Sequence, residues 1–291
     1  MKYIIISPVR NEGQYLERTA AAITAQEWLP AQWIIVNDGS TDNTGPLADQ
    51  LAQQHAWITV LHRPDRGFRQ AGGGVIEAYD EGFAAIEVAD WEFVVKLDGD
   101  LHFAPDYFRR CLEKFAGEER LGIGGGVICI ENEGGQWEVE AKNEPVFHVR
   151  GATKIYRRGC WEDIGGLLQA PGWDTLDEVK ANMLHWETRR FDDVQLLHLR
   201  VSGRANGMWQ NWVKNGRANY IAGYHPLFML LKCVKRAFRI QPWFVESLGL
   251  FWGYFTSPLK GVRQVPDRQL IKYIREQQLN RLLMRESIWK Y

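Results

Sequence analysis

The stretch VVKLDGDLHF, Val94–Phe103, carries an apolar run directly into two aspartates that flank a glycine. Asp-Gly is a common way to turn a hairpin, so Asp98-Gly99-Asp100 reads on its own as a solvated acidic turn. The rival reading is a metal site. Two carboxylates at one strand end can share a divalent cation, and hard oxygen ligands suit Mg2+ or Mn2+ while leaving positions open for diphosphate oxygens.

The upstream pattern favours the second reading. YIIIS (Tyr3–Ser7), QWIIV (Gln32–Val36), WITVL (Trp57–Leu61) and WEFVVKL (Trp91–Leu97) read as buried strands. Helical spacing separates them over Glu12–Gln26, from about Thr44 to His55, and over 70–85. This regular alternation predicts βαβ units: an α/β fold with a mostly parallel sheet covered by helices on both faces. Ligands of such sheets bind beyond the carboxyl ends of the strands. Arg10-Asn11-Glu12, Asp38-Gly39-Ser40 and Asp98-Gly99-Asp100 all fall at those ends and should converge on one edge. The first turn, SPVRNEG, offers neither the dinucleotide-binding glycine pattern nor a P-loop, which removes the main support for a nicotinamide enzyme or an NTPase.

Beyond Leu97 the pattern is less regular. A helix is expected over Asp106–Phe115, then the glycine-interrupted strand GIGGGVICI (Gly122–Ile130), whose glycines suggest a close approach of backbone or ligand. Short strands follow near Trp137–Ala141 and Thr153–Tyr156, a helix over Asp174–Trp186, and a strand over 194–201. From about residue 206, aromatic and basic residues interleave, and RQLIKYIREQQLNRLLMRE reads as an amphipathic basic helix. Two units are therefore expected, 1–205 and a helical extension 206–291, whose basic and aromatic residues fit either an interfacial helix on anionic lipid or an amphipathic cap on the catalytic domain.

The 291 residues are 45% hydrophobic and 24% charged, an ordinary globular balance, and the net charge of −1 leaves no basic imprint of nucleic-acid binding. The four cysteines show no metal or disulfide spacing, which fits reduced thiols. No signal segment or uninterrupted spanning stretch is evident, so a cytoplasmic protein, free or peripheral to the membrane, is expected. Eight of the 13 tryptophans lie in the second half, among them Trp243. Core packing, sugar stacking or a membrane interface would each use them.

SPVRNE, VNDGSTDNT (Val36–Thr44) and LDGD, in this order and at these intervals, resemble family-2 glycosyltransferases of the GT-A fold over roughly residues 1–217. The resemblance implies that Pro8, Arg10 and Glu12 line the nucleotide and that Asp38 accepts the imide hydrogen of the base. It further implies that LDGD is the D-x-D motif, with Asp98 and Asp100 as metal ligands. A carrier of uridine diphosphate type is implied, although Asp38 would also tolerate guanine. Arg69, at the start of the third helix, suits a diphosphate or a surface pair with Asp65.

An acceptor hydroxyl needs a base. In PGWDTLDEVKAN, helical spacing puts Asp174, Asp177 and Glu178 on one face, while Thr175 and Glu178 could form a capping box. The family's Glu-Asp acceptor motif is matched at Asp177, with Leu176 in place of its glutamate. Asp177 is therefore the expected base, with Asp174 and Glu178 as alternates. His198, alternating with leucines, is either structural or a late metal ligand. WQNWVKNGR (Trp209–Arg217) is a loose version of the family's Q-x-x-R-W segment. There Trp212 could stack on an acceptor sugar and Lys214 and Arg217 could meet phosphate, or all three could serve helix packing and solvation.

The expected activity is metal-dependent, inverting transfer of a sugar from a nucleotide-diphosphate donor to a saccharide hydroxyl, the acceptor being lipid-linked in surface polysaccharide synthesis. A non-catalytic binding protein of the same fold is the alternative, supported by Leu176. A sugar nucleotidyltransferase is another, and it lacks its glycine-rich loop here.

Overall fold

The computed structural model describes residues 1–67, 73–141, 144–200, 207–238 and 244–290. Strands β1 (Tyr3–Val9), β2 (Gln32–Asp38), β3 (Ile58–Arg63) and β4 (Phe93–Leu97) alternate with helices α1 (Gly13–Thr24), α2 (Thr44–Gln54) and α3 (Gly73–Ala84). The four strands pair in parallel in the order β3-β2-β1-β4, as the sequence pattern predicts.

The chain continues through β5 (Leu101–Phe103), α4 (Tyr107–Gly117), β6 (Leu121–Glu131), β7 (Trp137–Val139), β8 (Thr153–Arg157), α5 (Arg158–Ile164), α6 (Trp173–Met183) and β9 (Glu187–His198). The sheet order is β3-β2-β1-β4-β8-β6-β9-β5, with β7 on β6. Here the sheet is mixed: β8 runs antiparallel to β4 and β6, and β5 antiparallel to β9, while β6 and β9 are parallel. β9 starts at Glu187, seven residues before the expected Val194, and residue 201 lies outside the described residues. Its early half escapes an apolar-run search because Arg189 and Arg190 are there, paired with Glu118 and Asp192.

Alternate residues of the central strands feed two cores. Ile5, Trp33, Ile35 and Val95 face α1 and α4 through Leu16, Phe108 and Leu112. Ile4, Ile6, Ile34 and Val94 face α3 and α5 through Ile76, Tyr79 and Trp161. Burial on both faces explains why these strands read as continuous apolar runs. The glycines of β6 serve packing. A Cβ at Gly124 would lie 2.5 Å from the Phe191 ring, and one at Gly125 2.7 Å from the Thr153 carbonyl. The close approach inferred from sequence is that of neighbouring protein atoms.

Helices α7 (Met208–Ile221), α8 (Pro226–Ala237), α9 (Val245–Phe255) and α10 (Arg268–Leu282) form the C-terminal part. They join α6 in a third core that includes Leu176, Val179, Met229, Leu250 and Leu270. The expected boundary at 205/206 and Trp243 lie outside the described residues. No described helix is long and apolar enough to cross a membrane.

Candidate active site

The carboxyl ends of β1, β2 and β4 bring the three polar clusters together. Arg10 donates to the Asp38 carbonyl and to the Asp65 carboxylate, each at 2.6 Å. Asn11 takes a left-handed backbone, φ 53°, its N–H donating to Ser40 Oγ and its Oδ1 accepting from the Thr41 N–H at 2.8 Å. The Glu12 N–H donates to Thr44 Oγ1 at 2.8 Å. The strand-end turns of β1 and β2 are thus tied to one another. The buried Asp38 carboxylate is gripped by Arg63 at 2.6 Å and by Arg66. Any base contact would have to use the lone pairs these arginines leave over. Pro8 is buried inside β1, so its ring shapes the floor and presents no open face to a nucleotide. Arg69 lies outside the described residues.

The Asp98-Gly99-Asp100 corner is more acidic than its turn requires. Lys96 donates to Asp98. Asp100 faces His198 at 3.4 Å and Arg200 at 3.3 Å, and Arg200 also reaches Glu12 at 3.4 Å. Glu12 lies directly against the turn: a Cβ on Gly99 would run into its carboxylate and sit 2.7 Å from Val9. Burial, then the Asp100 and Asp98 charges, push Glu12 up to about 8. Glu12 Oε2 and Asp100 Oδ1 are buried without a hydrogen-bond partner. Orphaned carboxylate oxygens in a cluster of like charges suit a hard divalent cation. Among the described residues no three His, Cys, Asp or Glu side chains are arranged as a metal shell. A cation here would therefore complete its ligands with donor oxygens and water.

His198 does join this corner, because β9 pairs with β5 and sets His198 opposite Leu101. Burial alone would lower its pKa, but Asp100 and Glu140, one beside each ring nitrogen, raise it to about 9. His198 thus stands between two carboxylates of this corner, 3.4 Å from Asp100 and 3.6 Å from Glu140.

The acids of α6 separate into two kinds. Asp177, the expected base, has a side chain with 0% exposure. Its oxygens accept from Lys154 Nζ at 2.9 and 3.0 Å and from the Tyr156 hydroxyl at 2.6 Å. Burial pushes it up to about 6, with Lys154 opposing and Glu178 adding to the rise. Glu178 is equally buried, accepting from Lys154, from His148 at 2.8 Å and from the Val149 N–H at 2.6 Å. The alternative, a Thr175–Glu178 capping box, does not form: α6 begins at Trp173 after a left-handed Gly172, and Glu178 faces inward. Asp177 and Glu178 are thus enclosed and paired within the protein. Of the three acids, only Asp174, in the first turn, is not buried; it is half-buried.

Two lysines place that turn. Lys96 and Lys154 are directly opposed on β4 and β8 and both are buried. Each lies 5.6 Å from the centre of the Trp173 ring. Lys96 also holds Asp98, and Lys154 holds the Asp174 carbonyl. Lys96 thus links Asp98 to Trp173, the residue before Asp174. The C-terminal candidates lie on α7, whose Ala218 carbonyl would lie 3.9 Å from a Cβ on Gly172 at the start of α6. Trp212 is half-buried in α7 with the Arg236 guanidinium 4.2 Å over its ring, which covers that face against stacking. Lys214 and Arg217 are exposed on the same helix.

Sequence reasoning passed over Lys96, Lys154, Glu140 and Arg200. A lysine inside an otherwise apolar strand was the available signal for the first two; Arg200 and Glu140 gave none.

Comparisons with known proteins bear on the fold and the family. The model of glycosyl transferase family 2 matches residues 4–164. Glycosyltransferase GlyG of Streptococcus pneumoniae serotype 4 is 25% identical over 67% of this chain and 63% of its own length. The poly-beta-1,6-N-acetyl-D-glucosamine synthase of Staphylococcus aureus is 28% identical over 84% of this chain and 60% of its own. The chain thus spans less than two thirds of the length of either relative. Among solved structures, mannosyltransferase PcManGT from Pyrobaculum calidifontis in complex with GDP-Man and Mn2+ superposes with a TM-score of 0.57 at 16% identity, covering 98% of this chain and 76% of that one. S. aureus TarS 1-349 in complex with UDP-GlcNAc gives 0.55 at 16% identity, covering 96% and 81%. The fold is the GT-A fold, and the chain belongs to glycosyl transferase family 2.

Proposed function

We propose that this protein transfers a sugar from a nucleotide-diphosphate donor to a hydroxyl of a saccharide acceptor, with inversion, and that Asp174 rather than Asp177 is the base. The observation that carries this is that Asp177 is fully buried and Asp174 half-buried, supported by the Lys96–Trp173–Lys154 stack, in which Lys96 holds Asp98 and Trp173 precedes Asp174. Arg10, Glu12 and Asp38 line the donor side, with the Asp38 carboxylate and its arginines beneath the base. Asp98 and Asp100 would hold the Mg2+ or Mn2+, which when bound neutralises charge on the leaving diphosphate. Asp174 accepts the proton of the acceptor hydroxyl as that oxygen attacks the anomeric carbon. Lys154 and the buried Asp177 keep the first turn of α6 in place. A UDP carrier is supported by the resemblance and by the UDP-GlcNAc complex of TarS, and GDP by the PcManGT complex. A saccharide acceptor of surface-polymer type follows from relatives such as the glucosamine-polymer synthase. A lipid-linked acceptor would place the enzyme at a membrane surface.

The test is donor turnover with UDP-GlcNAc and GDP-Man in the presence of Mn2+. Asp174→Asn should lose ~10²–10⁴-fold in rate while nucleotide affinity is kept. Unchanged turnover in Asp174→Asn would remove the base from this position. No hydrolysis or transfer with any nucleotide sugar would favour a non-catalytic binding protein.

A further inference from the structure

The C-terminal helices carry an apolar surface that the transferase reading does not use. On α8, Leu227, Leu230, Leu231, Val234 and Phe238 are all exposed, Phe238 at 81%. Their spacing of three or four residues draws one continuous row along the helix. The opposite side of α8 is apolar too, with Phe228, Met229 and Cys233 buried in the third core. On α9, Phe244 just before the helix, then Leu248, Phe251 and Trp252, form a second exposed row. The inner side of α9 is committed to protein: a Cβ on Gly249 would lie 2.8 Å from that of Trp212. The Ser247 hydroxyl donates to the Cys233 carbonyl at 2.6 Å and Arg236 pairs with Glu246 at 3.2 Å, so the helices lie side by side. Leu259, 86% exposed, follows in the next turn.

A helix apolar on both sides belongs in a core or against lipid, and single exposed leucines are ordinary where rows of them are not. The charges choose the occupant. In the described residues 226–238 and 244–263 the one acid, Glu246, is paired with Arg236, and Lys232 lies over the Tyr224 ring, which leaves Lys235, Lys260 and Arg263 as the exposed cations, although the whole chain has net charge −1. A two-fold dimer through this face would set each copy's cations against its partner's. An anionic surface meets them with opposite charge, and apolar side chains beside Lys and Arg are the pattern of an interfacial helix.

We infer that the α8–α9 face docks on an anionic lipid bilayer, the two apolar rows entering the interface and the flanking cations meeting lipid phosphates. This stands on the surface alone and goes beyond the transferase reading, though it would bring the site to a lipid-linked acceptor.

Flotation with vesicles of phosphatidylcholine containing phosphatidylglycerol, and with phosphatidylcholine alone, tests it on the full chain. Wild type should bind the anionic vesicles. Leu231→Gln/Leu248→Gln should lower partition by at least about tenfold, and Lys235→Gln/Lys260→Gln by about fivefold for each lysine removed. Mn2+-supported binding of UDP or GDP, measured on the same preparations, checks that each variant is folded. Wild type that takes nucleotide but floats with neither vesicle overturns the docking and leaves the transferase reading intact; vesicle binding without nucleotide binding does the reverse. Leucine variants that float like wild type overturn it as well. So does a dimer in sedimentation velocity that the leucine variant dissociates, which would assign the face to a second copy.

Discussion

Two groups of acids sit a short distance apart in this molecule and have opposite characters. At the end of β4, Glu12 and Asp100 each keep a buried oxygen with no partner, and burial with like charge drives Glu12 up to about 8. In α6, Asp177 and Glu178 are more deeply buried, yet Lys154, Tyr156, His148 and the Val149 N–H satisfy them. The difference is the ground for proposing function at the first group and scaffold at the second. A buried carboxylate oxygen short of partners suits a cation, whereas one with its bonds filled holds structure.

The contrast can be broken most sharply in α6. Lys154→Met should cost about 3–5 kcal/mol in urea unfolding, since it strands two buried carboxylates. A loss well under that would mean the network is not as closed as its geometry shows. At the other corner the sign should reverse. Glu12→Gln, studied in chelator, should leave the unfolding midpoint unchanged or raise it, because it removes a charge that burial and its neighbours oppose. Destabilisation there would make Glu12 a scaffold residue. The smallest effect concerns pH. Burial works against a charged His148, but Glu178 outweighs it and raises the histidine pKa. A histidine raised above its unfolded value gives stability that is whole below about pH 6.5 and fades as pH climbs through the folded pKa. Wild type should show that decline in excess of His148→Gln across neutral to mildly alkaline pH; parallel curves would deny the pair its charge.

Much of this was legible in the sequence, for physical reasons. Strands buried on both faces announce themselves as apolar runs, and the three polar clusters at their ends did meet at one edge. β5 is three residues long, too short to show alternation, and with it went the link between Asp100 and His198. The acids of α6 show the limit most clearly. Helical spacing puts Asp174, Asp177 and Glu178 near one another, but which of them turns inward depends on Lys154 waiting on β8. That lysine is opposite Lys96 only through the antiparallel register of β4 and β8, a non-local fact that no local pattern carries. The same holds for the exposed rows of α8 and α9. Amphipathic spacing was visible, but which apolar side stayed outside was decided by α6, α7 and α10.

The central claim is that the open acids at the end of β4 form the donor's metal corner. Calorimetric titration of UDP and GDP, with and without Mn2+, on wild type and Asp100→Ala tests it most directly. Binding of one nucleotide that requires Mn2+ and is lost in Asp100→Ala is the predicted result. Binding of equal strength without metal, unchanged by the substitution, would contradict the claim and return Asp98-Gly99-Asp100 to the role of an acidic turn.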